Sequence, residues 1–127
     1  MSILYVLVAK RNDMILVDYT EYTGNFQQIT IELMKRIESD TKKTFEVSDY
    51  LFHYINEEEL TVLCMTSKDA QRKLAYTFLA DVRKRLLEVY SSRELMNARA
   101  FGLKTFTAEL REKIVSKMFS DSQYEAH

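Results

Sequence analysis

The stretch that most limits the possible folds is Ile3 to Ala9, in which every residue is apolar or aromatic. β-Branched and aromatic side chains dominate it, and its length suits a strand. A strand apolar at each position has two faces to hide, so it belongs inside a sheet covered on both sides. The run ends at Lys10-Arg11-Asn12-Asp13, where Asn and Asp supply turn chemistry. A second apolar run, Met14 to Tyr19, follows, and the pair reads as an antiparallel hairpin. Because Lys10 and Arg11 come after the apolar run, the order is wrong for an export signal.

Gly24-Asn25 opens a helix, with Asn25 as N-cap and Gln28 three residues on. Phe26, Ile29, Leu33 and Ile37 form its apolar stripe to about Glu38, with Ile31 and Met34 on the flank. Ser39 to Thr44 reads as a polar loop, and Phe45 to Ile55 as one extended segment. Asn56 to Glu59 is a turn, and Leu60 to Thr66 is the returning strand. A second helix spans about Ser67 to Tyr90 with the stripe Ala70, Leu74, Phe78, Val82 and Leu86, and Thr66 with Asp69 resembles a capping box at its start. Ala98 to Leu103 reads as a short strand, and Phe106, Leu110, Ile114 and Met118 mark a last helix from about Thr105. The order β-β-α-β-β-α-β-α describes an α+β sandwich with a mainly antiparallel sheet. One domain covers residues 1–120, and 121–127 form a polar tail.

Little in the chain points to catalysis. Eighteen basic against nineteen acidic residues leave a net charge of −1, which gives no whole-chain attraction to nucleic acid or to an anionic membrane. Two glycines and no proline exclude a glycine-rich phosphate loop. Nothing approaches the roughly eighteen apolar residues of a membrane span. His53 lies among strand formers and reads as structural. Cys64 has no partner at zinc-ligand spacing and reads as a small buried hydrophobe in a reducing compartment. Glu57-Glu58-Glu59 is a solvated turn, and Arg83-Lys84-Arg85 falls short of the usual four to eight basic residues of a lipid-binding cluster, so it reads as a helix polar face. No nucleophile, base and orienting acid assemble, so the expectation is no catalytic, cofactor or metal site.

Several stretches in one order resemble a longin domain, in the version carried by R-SNAREs of endosomal, lysosomal and vacuolar routes. They are Ser2 to Lys10, Thr23-Gly-Asn-Phe26, Tyr50-Leu-Phe-His-Tyr-Ile55, Lys73 to Leu79, and Lys84 to Tyr90 followed by Ser92-Arg93. The resemblance runs from about Ser2 to Phe119. The R-SNARE longin of the early secretory pathway shares the Phe-His-Tyr-Ile stretch, and the prenylated longin SNARE is a third related type. The resemblance implies a profilin-like fold: a five-stranded antiparallel sheet in the order 2-1-5-4-3, with one helix on one face and two on the other. It implies a regulatory module on the cytoplasmic face of endosomal, lysosomal or vacuolar, or secretory vesicle membranes. Such a module folds over its own downstream SNARE motif, binds sorting adaptors or regulators, and meets cognate Q-SNAREs through the full protein. The membrane is reached only through a C-terminal anchor outside this chain. The implied binding surface is a groove between the first helix and the third strand. Here it would use Ile31 and Met34 on the outward flank of the helix, and Phe45 and Val47 on the strand. Lys43-Thr-Phe-Glu-Val47 is one residue shorter than the family's usual stretch, with Phe45 and Val47 keeping the spacing of one strand face. A longin-like scaffolding subunit of an adaptor or tethering complex is the alternative.

Overall fold

A computed structural model describes residues 2–11 and 13–125, with side-chain surroundings described as far as Ser116. Five strands form one sheet: β1 (Ile3–Lys10), β2 (Met14–Tyr19), β3 (Thr41–Val47), β4 (Tyr50–Glu57) and β5 (Leu60–Ser67). All paired strands are antiparallel, in the order β2-β1-β5-β4-β3. The helices are α1 (Phe26–Met34), α2 (Arg72–Val89), the short α3 (Ser92–Asn97) and α4 (Thr107–Glu125).

Alternation along the strands divides the core in two. Val6 and Val8 of β1, with Val62 and Cys64 of β5, pack under α2 and α4 through Phe78, Val82, Leu110 and Ile114. Tyr5, Leu7, Leu63 and Met65 point to the opposite face, where Leu33 and Met34 of α1 and the following Ile37 cover them. β1, an interior strand between β2 and the central β5, is therefore buried on both faces, as an unbroken apolar strand must be.

Two of the expected strands fall elsewhere. Phe45 to Ile55 is not one segment: Ser48 adopts φ 56°, and a two-residue loop, Ser48-Asp49, folds it into β3 and β4. The segment read as a polar loop supplies the first half of β3. Ala98 to Leu103 is not a strand. Phe101, at φ 55°, and Gly102 turn the chain there, and a Cβ on Gly102 would lie 2.8 Å from the Arg99 carbonyl oxygen. The segment still caps the outer edge of β2, with Phe101 N donating to Ile15 O (2.8 Å) and Leu103 N to Leu16 O (3.1 Å). Successive carbonyls face outward because Leu16 is an extra residue in the β1–β2 pairing, a bulge. The opposite edge of the sheet, β3, has no such cover among the described residues.

Helix starts also differ. α2 begins at Arg72 without a side-chain cap; the Thr66 hydroxyl bonds His53 and the Ser67 hydroxyl donates to Asp69 (2.5 Å), so the expected capping box does not form. A true capping box sits at α3, where Ser91 and Glu94 satisfy each other's backbone amides. The last helix continues to Glu125, and residues 126–127 of the expected polar tail lie outside the described ones.

Candidate polypeptide-binding groove

α1 ends at Met34, short of the expected Glu38, and buries Thr30, Leu33 and Met34, with Ile37 just beyond its end, a stripe rotated from the one that apolar spacing alone indicates. Thr30 enters the core because its hydroxyl donates to the Phe26 carbonyl one turn back (2.8 Å). With Thr30 at the centre, Ile29 and Ile31 fall on opposite flanks, each half-buried. Met34 is not on the outward flank: at 2% exposure it is core. The N-terminus of α1 is held by Gln27, which donates to Asp18 (2.8 Å), the carboxylate that also accepts from Tyr5 (2.7 Å).

The strand wall is an edge. β3 pairs only with β4, in the register Phe45↔Phe52 and Val47↔Tyr50. Phe45 and Val47 are half-buried and pack against the same core cluster as Ile31. Phe45 stacks on the buried Tyr54 at 5.8 Å, and the Lys43 ammonium lies 5.9 Å from the Phe45 ring centre. Tyr50, 38% exposed, meets Phe26 edge-on at 6.5 Å. So Ile31, Phe45 and Val47 are partly accessible and pack against one core cluster, of which Met34 is a buried member. Phe26 and Tyr50, in ring contact, extend this partly exposed apolar surface, although apolar spacing alone puts Phe26 in the core stripe. No apolar spacing distinguishes a half-buried flank from a buried one.

The edge also exposes backbone. A two-residue loop closes on a pair that exchanges both hydrogen bonds, here Val47 and Tyr50. Alternation then turns the amides and carbonyls of Lys42, Thr44 and Glu46 outward. Charge around the groove is mixed: Lys43 faces Glu38 at 3.9 Å and Lys35 faces Glu32 at 3.2 Å.

Behind β3, the other face holds a buried polar chain. His53 has its Nδ1 2.8 Å from the Thr44 hydroxyl and its Nε2 2.9 Å from the Thr66 hydroxyl, and Thr44 also meets the Tyr76 hydroxyl at 2.7 Å. Burial, with a smaller contribution from Arg72, lowers the histidine pKa to about 4. Burial pushes the Cys64 thiol well above its usual range. A cleft of about 280 Å³ at the far end of the sheet is lined by Lys10, Arg83, Leu87 and Met96 among others. Its cations are engaged: Lys10 donates to the Leu95, Met96 and Ala98 carbonyls, and Arg83 pairs with Glu57 at 3.4 Å. Arg85 pairs with Glu109 at 2.9 Å, which leaves Lys84 as the exposed member of the basic triplet. Among the described residues no group of three His, Cys, Asp or Glu is placed to hold a metal, and no helix is long and apolar enough to cross a membrane.

Comparison with known proteins matches residues 16–110 to the longin family model, described as a regulated-SNARE-like domain. Vesicle-associated membrane protein 7 of Mus musculus is 38% identical over 94 residues, covering 73% of this chain and 42% of that protein. Vesicle-associated membrane protein 7B of Dictyostelium discoideum is 34% identical over 116 residues, covering 91% and 44%. Vesicle-associated membrane protein 712 of Arabidopsis thaliana is 32% identical over 117 residues, covering 90% and 52%. The chain spans about half the length of the curated relatives it matches.

Proposed function

The chain belongs to the longin family, and from that premise we propose that the surface between α1 and β3 docks a polypeptide segment and so regulates SNARE assembly in vesicle transport. The occupant is the SNARE motif that follows the longin domain in a full-length R-SNARE, held in a closed, autoinhibited state. Sorting adaptors or regulators compete for the same surface, and cognate Q-SNAREs engage the motif once it is released. A C-terminal anchor in the full protein would hold the domain at the cytoplasmic face of endosomal, lysosomal or vacuolar, or secretory vesicles.

One observation carries this reading: the sheet's two edges are treated differently. The edge of β2 is capped by the 101–103 segment, whereas β3 keeps outward backbone groups beside half-buried Ile31, Phe45 and Val47. An unpaired strand next to an apolar trench suits an added strand or an amphipathic helix. A few modest anchors give weak contact, and tethering within one polypeptide raises effective concentration enough to make it dominate. The test is titration of the domain with a synthetic R-SNARE motif. Ile31→Ser with Phe45→Ser should abolish binding while the fold persists by circular dichroism. Unchanged affinity in the folded double variant would refute the reading.

A further inference from the structure

The free edge of β3 has a pattern that matches itself. Read about Thr44, the strand Thr41-Lys42-Lys43-Thr44-Phe45-Glu46-Val47 places a cation opposite an anion and a cation opposite an aromatic ring when reversed. We propose that β3 pairs antiparallel with β3 of a second copy, centred on Thr44, joining the two sheets into one.

In that register Lys42 faces the second copy's Glu46, Lys43 faces its Phe45, and Thr41 faces its Val47, each twice by symmetry. The outward backbone groups of Lys42, Thr44 and Glu46 are those an added antiparallel strand uses, with Lys42–Glu46 and Thr44–Thr44 as the pairs that exchange hydrogen bonds. Neighbouring registers are poorer. Moving the centre one residue back sets Lys43 against Lys43, and opposed like charges destabilise a cross-strand pair. Moving it one residue forward leaves Lys42 opposite the Ser48 turn and Glu46 opposite Thr44. Lys42 and Glu46 are exposed and lie on the α2 side of the sheet, where Lys42 sits 5.2 Å from the Tyr76 ring centre and Glu46 bonds Lys68 at 2.9 Å. With 55% of its side chain accessible, Glu46 has room for a second cation. This pairing and a partner strand added to β3 exclude each other, so self-association would hold the edge closed.

The test is sedimentation velocity of this chain from micromolar to millimolar concentration, with thermal melts followed by circular dichroism to confirm folding. Wild type should show a reversible monomer–dimer equilibrium. Lys42→Glu or Glu46→Lys alone should weaken it about tenfold or more, because each creates two like-charge oppositions. The double reversal, Lys42→Glu with Glu46→Lys, should restore it to within about threefold of wild type. A wild type that stays monomeric throughout overturns the proposal. So does a dimer indifferent to the single reversals, or a folded double reversal that fails to recover. These substitutions leave Ile31 and Phe45 intact, so failure here is separate from failure of the groove reading.

Discussion

Met34 and Ile31 lie three residues apart on one helix, yet their surroundings differ enough to predict opposite mutational behaviour. Met34→Ala removes a core side chain and should cost about 2–5 kcal/mol in urea unfolding. Ile31→Ala uncovers a half-buried flank and should cost well under half as much, while weakening segment binding. His53 makes a second prediction. Its folded pKa, lowered to about 4 by burial, lies below the ordinary value of 6.5. The unfolded chain therefore takes up the proton first. Stability from this group is complete above pH 6.5 and drains away as pH falls towards 4. Replacing the ring by the non-titrating amide of His53→Gln should flatten the pH dependence in that window relative to wild type. Equal slopes in the two proteins would remove His53 as the source. The histidine was legible as structural from its setting among strand formers, but its two threonine partners come from different strands and no local pattern announces them.

At the level of elements, the chain builds tight hairpins without the residues that favour them. Glu58 and Glu59 both occupy the left-handed region, at φ 53° and 64°, in the two-residue loop between β4 and β5. That loop type prefers Asn followed by Gly. The paired change Glu58→Asn with Glu59→Gly should stabilise the domain by about 1 kcal/mol, read as a higher denaturant midpoint. The exposed Arg11–Glu59 pair, 3.9 Å apart, offers little to lose. The same economy with glycine explains which elements could be read beforehand. β1, β2 and β5 are apolar runs bounded by polar turns, and their existence followed directly. β3 carries Lys42, Lys43 and Glu46 because an edge strand needs no apolar outer surface, so its first half looked like a loop. The β3–β4 turn at Ser48-Asp49 lacks glycine and passed unnoticed. The Ser91–Glu94 capping box is visible in the spacing, but the six-residue α3 that it opens buries Leu95 alone, too little for an apolar stripe to announce a helix.

For the molecule as a whole, the two edges of the sheet differ. β2 is closed by its own chain and β3 is open, while the helices on the far face are tied together by Arg85–Glu109 and Lys113–Asp81 pairs at 2.9 and 2.7 Å. The fold class followed from the strand β1, apolar on both faces, and from family resemblance. The shared strand face of Phe45 and Val47 was legible from their spacing, but the exposures of Ile31 and Met34 were not, since they depend on how far α1 is rolled about its axis. The most direct measurement is residue-resolved amide hydrogen exchange on dilute domain, with and without an R-SNARE motif segment. The account predicts fast exchange at the Lys42, Thr44 and Glu46 amides in the free domain and strong slowing on binding, with added protection around Ile31. Protection confined to α2 and α4, with the β3 amides unchanged, would contradict it.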